Sequence, residues 1–225
     1  LVPLVITAGV VGAMGGAPQE LSNGGRVWMQ NAGFVWVPFI LASTAAAWLG
    51  MNDLADARAS LREQAVIFTR TQNWVMCLLY VGTFGSFIGY SAGFPLLSGL
   101  VFPEVNALQF VFLGPLIGAL SRAGSGWLAD RVGGGRVTFW VFAGMIASVL
   151  VVIEGLESTS FAMFFAGFMA LFFFTGIGNS STFQMIPVIM RKEIARLYPD
   201  EGAAEQRRRS EREAAAIVAF TSAIG

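Results

Sequence analysis

The sequence has no histidine, a single cysteine and few charges: only 12% of its 225 residues are Asp, Glu, Lys or Arg, against about 25% in soluble domains. Without histidine the usual near-neutral proton carrier is missing. The lone Cys77 excludes any intramolecular disulfide. Lys and Arg balance Asp and Glu at 14 each, so no excess positive charge calls for a nucleic-acid partner. There is no initiator methionine, and the chain opens and closes inside apolar runs. This reads as a piece of a larger protein, and a signal peptide cannot be sought at Leu1.

What fills the space is apolar. Hydrophobic residues make up 55% of the chain, with 20 Phe and 27 Gly, a composition that belongs to an integral membrane protein whose surroundings are the lipid bilayer. Residues 1–14 read as the second half of a span and 15–26 as a turn. A span over 27–49 is kinked at Pro38, with Trp28, Trp36 and Trp48 as interface anchors. A polar linker follows over 51–73 and includes a short surface helix. Further spans are expected at 74–94, ended by Pro95, at 105–129, at 137–153 before a hairpin at 154–159, and at 160–190 with a glycine-rich break at 176–181. Residues 191–212 form a second polar linker, and 213–225 begin a further span.

The cations set the orientation. Arg58, Arg62, Arg70, Arg131, Arg136 and the seven Lys and Arg between Arg191 and Arg212 put twelve on one side, and Arg26 alone stands on the other. Both polar linkers therefore face the cytoplasm. The run Arg207-Arg208-Arg209 reads as a solvated loop that helps to set topology, with a regulatory or lipid-binding patch as the alternative. Carboxylates lie only in loops or, for Asp130, at a helix end. No proton relay, metal site or acid/base enzyme is indicated, and no cofactor is implied.

The fourteenth cation, Arg122, belongs to neither side. It is the only ionised side chain expected in the 105–129 span before Asp130, and burial cannot deprotonate it. An arginine near a helix end can snorkel to the interface. Arg122 lies about five turns in, which favours an anion site in a transport pathway. Gly114, Gly118 and Gly126 share its four-residue period, so a helix or a small ligand can approach that face closely.

Gly126-Trp127-Leu128-Ala129-Asp130-Arg131-Val132-Gly133-Gly134-Gly135-Arg136 resembles the cytoplasmic-loop signature of the major facilitator superfamily. It departs from that signature at Gly134, where a basic residue is common, and carries its last cation at Arg136. Three further stretches resemble the second half of NarK-type nitrate/nitrite transporters. They are Tyr80-Val81-Gly82-Thr83-Phe84-Gly85 with its continuation to Phe94, Gly114-Pro115-Leu116-Ile117-Gly118-Ala119-Leu120-Ser121-Arg122, and Gly178-Asn179-Ser180-Ser181-Thr182-Phe183-Gln184-Met185. The likeness covers essentially all of the chain.

The resemblance implies an all-α membrane protein of the major facilitator fold, a fragment of a twelve-helix monomer in the inner membrane. Residues 1–50 would end its first six-helix half, 51–73 would form the cytoplasmic linker, and 74–225 would hold helices seven to ten and the start of the eleventh. Arg122, Phe84, Tyr80 and Asn179 would bind the anion, nitrate or nitrite. Gly126, Asp130, Arg131 and Arg136 would govern gating. Tyr80 and Phe84 are four apart and so share a helical face, and a planar guanidinium flanked by rings suits a flat anion. Gly82, Gly85, Gly89 and Gly93 are expected to permit close helix contacts. Nitrate/nitrite exchange by alternating access is the function expected, with nitrate/proton symport and a non-transporting nitrate sensor as alternatives.

Overall fold

The computed structural model describes residues 18–20, 26–28, 31–34, 36–51, 60 and 64–224. The cut span at 1–14 and the linker charges Asp53, Asp56, Arg58, Arg62 and Glu63 lie outside the described residues. The chain forms two compact units, Leu1–Arg58 and Ala59–Gly225.

In the first unit two short strands, β1 (Gln19–Glu20) and β2 (Arg26–Val27), pair antiparallel. Val27 thus belongs to the hairpin and not to the span expected from it. Helix α1 (Asn31–Phe34) precedes α2 (Val37–Gly50), and Pro38 sits in the first turn of α2. Proline is tolerated there because that amide has no intrahelical acceptor, so the interruption comes before Pro38.

The second unit begins with a 3₁₀ turn, Ala65–Thr69, and α3 (Thr71–Tyr80). A π-helical turn, Val81–Gly85, joins α3 to α4 (Ser86–Val101). Together they make a run of 31 residues apolar enough to cross a membrane. Pro95 therefore does not end this span. Its missing N–H leaves only the Ser91 carbonyl without its usual donor, a local cost that the flanking apolar turns absorb. The wide π turn is held from within, where the Thr83 hydroxyl donates to the carbonyls of Leu79 (3.1 Å) and Tyr80 (3.3 Å).

The expected 105–129 span is broken. A 3₁₀ turn, Ala107–Phe110, is followed by α5 (Leu113–Gly124), and α6 (Gly126–Val132) restarts after Ser125. Gly124, Ser125 and Gly126 in succession lower helix propensity where the chain turns. Gly133 then takes φ +94°, open to glycine alone without strain, and starts α7 (Gly134–Glu157). Helix α7 runs beyond the expected 137–153 at both ends.

Helix α8 (Phe161–Leu197) is 37 residues long and unbroken, contrary to the break expected at 176–181. Its glycines are packing points. A Cβ at Gly176 would meet the Ser121 hydroxyl and the Gly118 carbonyl of α5, so α5 and α8 touch backbone to backbone. Of the four glycines in residues 82–93, Gly82 has the close neighbour expected, the Phe142 ring at 2.8 Å from its would-be Cβ; among the described residues nothing approaches Gly89 or Gly93 within 4 Å. Proline recurs in α8 at Pro187, which deprives the Phe183 carbonyl of its donor.

The expected linker 191–212 is helical. It is shared between the end of α8 and the start of α9 (Ala203–Ile224), with only residues 198–202 outside helix. Helix α8 packs against α5, α7 and α9. Its face carries Phe164, Phe168, Leu171 and Phe172, each at most 3% exposed. Buried hydroxyls turn back on their own helix, Ser98 to the Phe94 carbonyl (2.6 Å) and Thr182 to that of Gly178 (2.8 Å), and Thr138 and Ser181 share a bond across α7 and α8 (3.0 Å). These hydroxyls are thereby satisfied without water.

Arg70 donates to both carboxylate oxygens of Glu213 (2.8 and 2.9 Å), and the pair is 11% and 5% exposed. Hydrogen bonding to Glu213 keeps the Arg70 guanidinium protonated far above the usual arginine range, against the opposing effect of burial. The Tyr198 ring lies beneath the guanidinium groups of both Arg70 (5.9 Å) and Arg209 (4.3 Å). Glu213→Ala strands a buried cation and should lower the stability of the folded protein by about 3 kcal/mol. The melting midpoint in detergent measures it; an unchanged midpoint would show the pair to be dispensable.

Candidate functional site

The π turn sets the aromatic side of the site. Tyr80 and Phe84 stack at 5.1 Å with their planes 12° apart, and Phe84 stacks in turn on Phe87 at 6.0 Å and 8°. Tyr80 is 4% exposed, while Phe84 is half-buried. The column is anchored at its far end, where Phe87 meets Phe172 of α8 edge to face at 5.5 Å.

Arg122 comes from the last turn of α5. It is exposed, not enclosed, because the helix ends two residues later and the guanidinium is carried past the packed glycine face. Its cationic carbon stands 5.5 Å from the centre of the Phe183 ring, close enough for a cation–π attraction. Phe183 also meets Tyr80 edge to face at 4.9 Å. One ring thus joins α3, α5 and α8. Phe183 was not among the residues singled out by sequence, although it lies in a quoted motif. The signal was its position four residues after Asn179 and seven after Gly176, on one face of α8.

Asn179 is 4% exposed, and its Oδ1 has no hydrogen-bond partner among the described residues. A buried amide oxygen left unpaired costs about 1–3 kcal/mol, so the helix tolerates it for a reason other than packing. Register places it beside Phe183 and Gly176, on the face that meets Arg122 and Ser121. The structure therefore brings Arg122 and Tyr80 to Phe183, with Phe84 stacked on Tyr80, and Asn179 lies one helical turn before Phe183 on α8.

The expected gating residues follow on α6 and in the first turn of α7. Arg131 rests on the Trp127 ring at 5.2 Å. Among the described residues Asp130 forms no ion pair, and it is exposed. Gly126 faces the Gln184 amide, with Nε2 2.7 Å from its would-be Cβ. Arg136 lies in the first turn of α7. Among the described residues no group of three His, Cys, Asp or Glu could hold a metal ion.

Four helices of the described chain are long and apolar enough to cross a membrane, which makes this a multi-pass membrane protein. No family model matches the chain. It is 43% identical over 230 residues to the nitrate/nitrite transporter NarU of Escherichia coli, covering 99% of the chain and 49% of that relative. To NarU of Salmonella typhimurium it is 40% identical over 232 residues, covering 100% of the chain and 50% of the relative. A probable nitrate/nitrite antiporter NarK2 of Thermus thermophilus is 39% identical over 198 residues, covering 83% of the chain and 44% of the relative. The chain spans about half the length of the curated relatives it matches.

Proposed function

We propose, from its likeness to nitrate/nitrite transporters, that the chain belongs to the NarK-type family of the major facilitator superfamily and forms part of a carrier, not an enzyme, that moves nitrate and nitrite across the inner membrane by exchange. The observation that carries the reading is the convergence of one guanidinium, Arg122, on a ring, Phe183, that also abuts Tyr80. A guanidinium fork binds a planar oxyanion through two parallel hydrogen bonds, and the Phe183 ring beside it offers an apolar wall for a flat anion. Phe84, stacked on Tyr80, extends that aromatic wall, and the NH₂ group of Asn179 can turn to donate to an anion.

Exchange follows from the charge balance. Among the described residues Arg122 faces no carboxylate, and the buried carboxylate Glu213 is committed to Arg70. The empty site keeps its full positive charge, and moving that charge through the bilayer is costly; a bound anion removes most of the cost. Liposomes holding the protein and preloaded with nitrite should take up external nitrate, and empty liposomes should stay at the leak rate with or without a pH gradient. Uptake into empty liposomes that rises with an inward proton gradient and collapses with a protonophore would instead establish proton symport. Arg131 and Trp127 are proposed, with Gly126, Asp130 and Arg136, to govern the cytoplasmic gate and not the anion contact.

A further inference from the structure

Away from the aromatic column, a cavity of about 380 Å³ opens between the end of α8 and the start of α9, lined by Arg191, Ala195, Ala203, Gln206, Arg207 and Glu211. Its two alanines leave depth, and its two arginines come from different helices. Arg207 bonds Glu211 at 2.8 Å. Arg191 has no ion-pair partner among the described residues. Gln206 is fixed as a wall by donating from Nε2 to the Tyr198 carbonyl at 2.7 Å.

A third feature adds positive potential. The amides of Glu205 and Gln206 both bond the Gly202 carbonyl, which makes Gly202 the residue that begins α9. Ala203 is then the first residue of a 22-residue helix, with an amide that no carbonyl of its own helix can accept, at the positive end of the dipole. Two guanidinium groups and a helix N-terminus against one carboxylate leave the cavity net positive.

Depth identifies the ligand. Arg191 follows directly on Met190, which is 1% exposed and ends the apolar run of α8. The first charge after a spanning run stands at headgroup level, here on the side that carries twelve of the fourteen cations. We infer that this cavity binds the phosphate group of a membrane phospholipid, with Arg191, Arg207 and the α9 N-terminus on the phosphate oxygens. Glu211 is placed to meet an ammonium on the same headgroup. The Arg207-Arg208-Arg209 run is divided accordingly: Arg209 pairs with Glu201 at 2.7 Å, Arg207 lines the cavity, and Arg208 does neither.

The test uses the purified protein in detergent, with the melting midpoint followed during titration with phosphatidylglycerol, phosphatidylethanolamine, diacylglycerol or soluble glycerol 3-phosphate. Both phospholipids should raise the midpoint and diacylglycerol should not. The double variant Arg191→Gln/Arg207→Gln should weaken the apparent affinity for phosphatidylglycerol about tenfold or more, the loss expected for two charge-assisted bonds. Arg208→Gln should leave it unchanged. Glu211→Gln, which frees Arg207 and removes the acceptor for the ammonium, should tighten phosphatidylglycerol and weaken phosphatidylethanolamine. Should the double variant fail to fold, that opposite pair of shifts still decides the matter. Equal protection by diacylglycerol, or an Arg208→Gln loss as large as that of the double variant, would overturn the site. Protection by glycerol 3-phosphate matching that of phospholipid would keep the phosphate site and overturn the lipid assignment. Nitrate binding in the same samples should be unaffected, which separates this cavity from the aromatic site.

Discussion

Arg122→Lys should abolish nitrate uptake while the protein still inserts and expresses. Lysine keeps the charge but replaces a planar fork with a single ammonium that cannot make two parallel bonds to one oxyanion. It also lies less readily on the Phe183 ring, 5.5 Å from the present guanidinium. Losing one charge-assisted hydrogen bond costs about 2 kcal/mol, or about thirty-fold in affinity, before any misplacement of the anion is counted. Two measurements decide it, equilibrium nitrate binding to the purified variant and counterflow in liposomes. Near-normal exchange by a correctly inserted Arg122→Lys protein would remove Arg122 from the site.

The second large effect is expected at Gly176, through geometry and not charge. Any Cβ there collides with the Gly118 carbonyl and the Ser121 hydroxyl, and a backbone carbonyl cannot swing aside as a side chain can. Helices α5 and α8 would have to separate. Gly176→Ala should cost about 2 kcal/mol, within the range for overpacked cores, and Gly176→Leu should prevent folding. Because Arg122 is one residue from Ser121, separation also pulls its guanidinium from Phe183. Gly176→Ala should therefore lose nitrate affinity as well as stability. Gly99 supplies the control: nothing lies within 4 Å of its would-be Cβ, so Gly99→Ala should leave both unchanged. Equal melting midpoints for the two alanine variants would refute the close-approach account.

What the sequence made legible were the features that depend on local period. The apolar runs at 74–94, 137–153 and 160–190 each mark a helix, and the four-residue step from Tyr80 to Phe84 correctly places two rings on one face. The boundaries failed where partners elsewhere in the chain decide the outcome. Gly176 and Gly178 read as a break because glycine is a poor helix former, but Gly118 on one side and Thr83 and Val141 on the other press against that glycine face and hold α8 straight. Residues 191–212 read as linker because they are charged. They are helical, with Ile194 fully buried on one face and charges paired within the stretch, Arg207 with Glu211 and Arg209 with Glu201. The Arg122 span failed for the opposite reason, since Gly124, Ser125 and Gly126 end α5 where a hydropathy window sees only continuous apolarity. Phe183 was hidden among 20 phenylalanines, and only the spatial meeting of three helices distinguishes it.

Pro187 gives the site a mechanical property. The carbonyl it leaves without a donor is that of Phe183, the ring on which Arg122 rests. Helix α8 is thus a rod whose softest joint coincides with the site. At about 1.5 Å per residue Leu197 lies about 21 Å beyond that joint, so a bend of about 10° at Phe183 sweeps that end of α8 through about 4 Å.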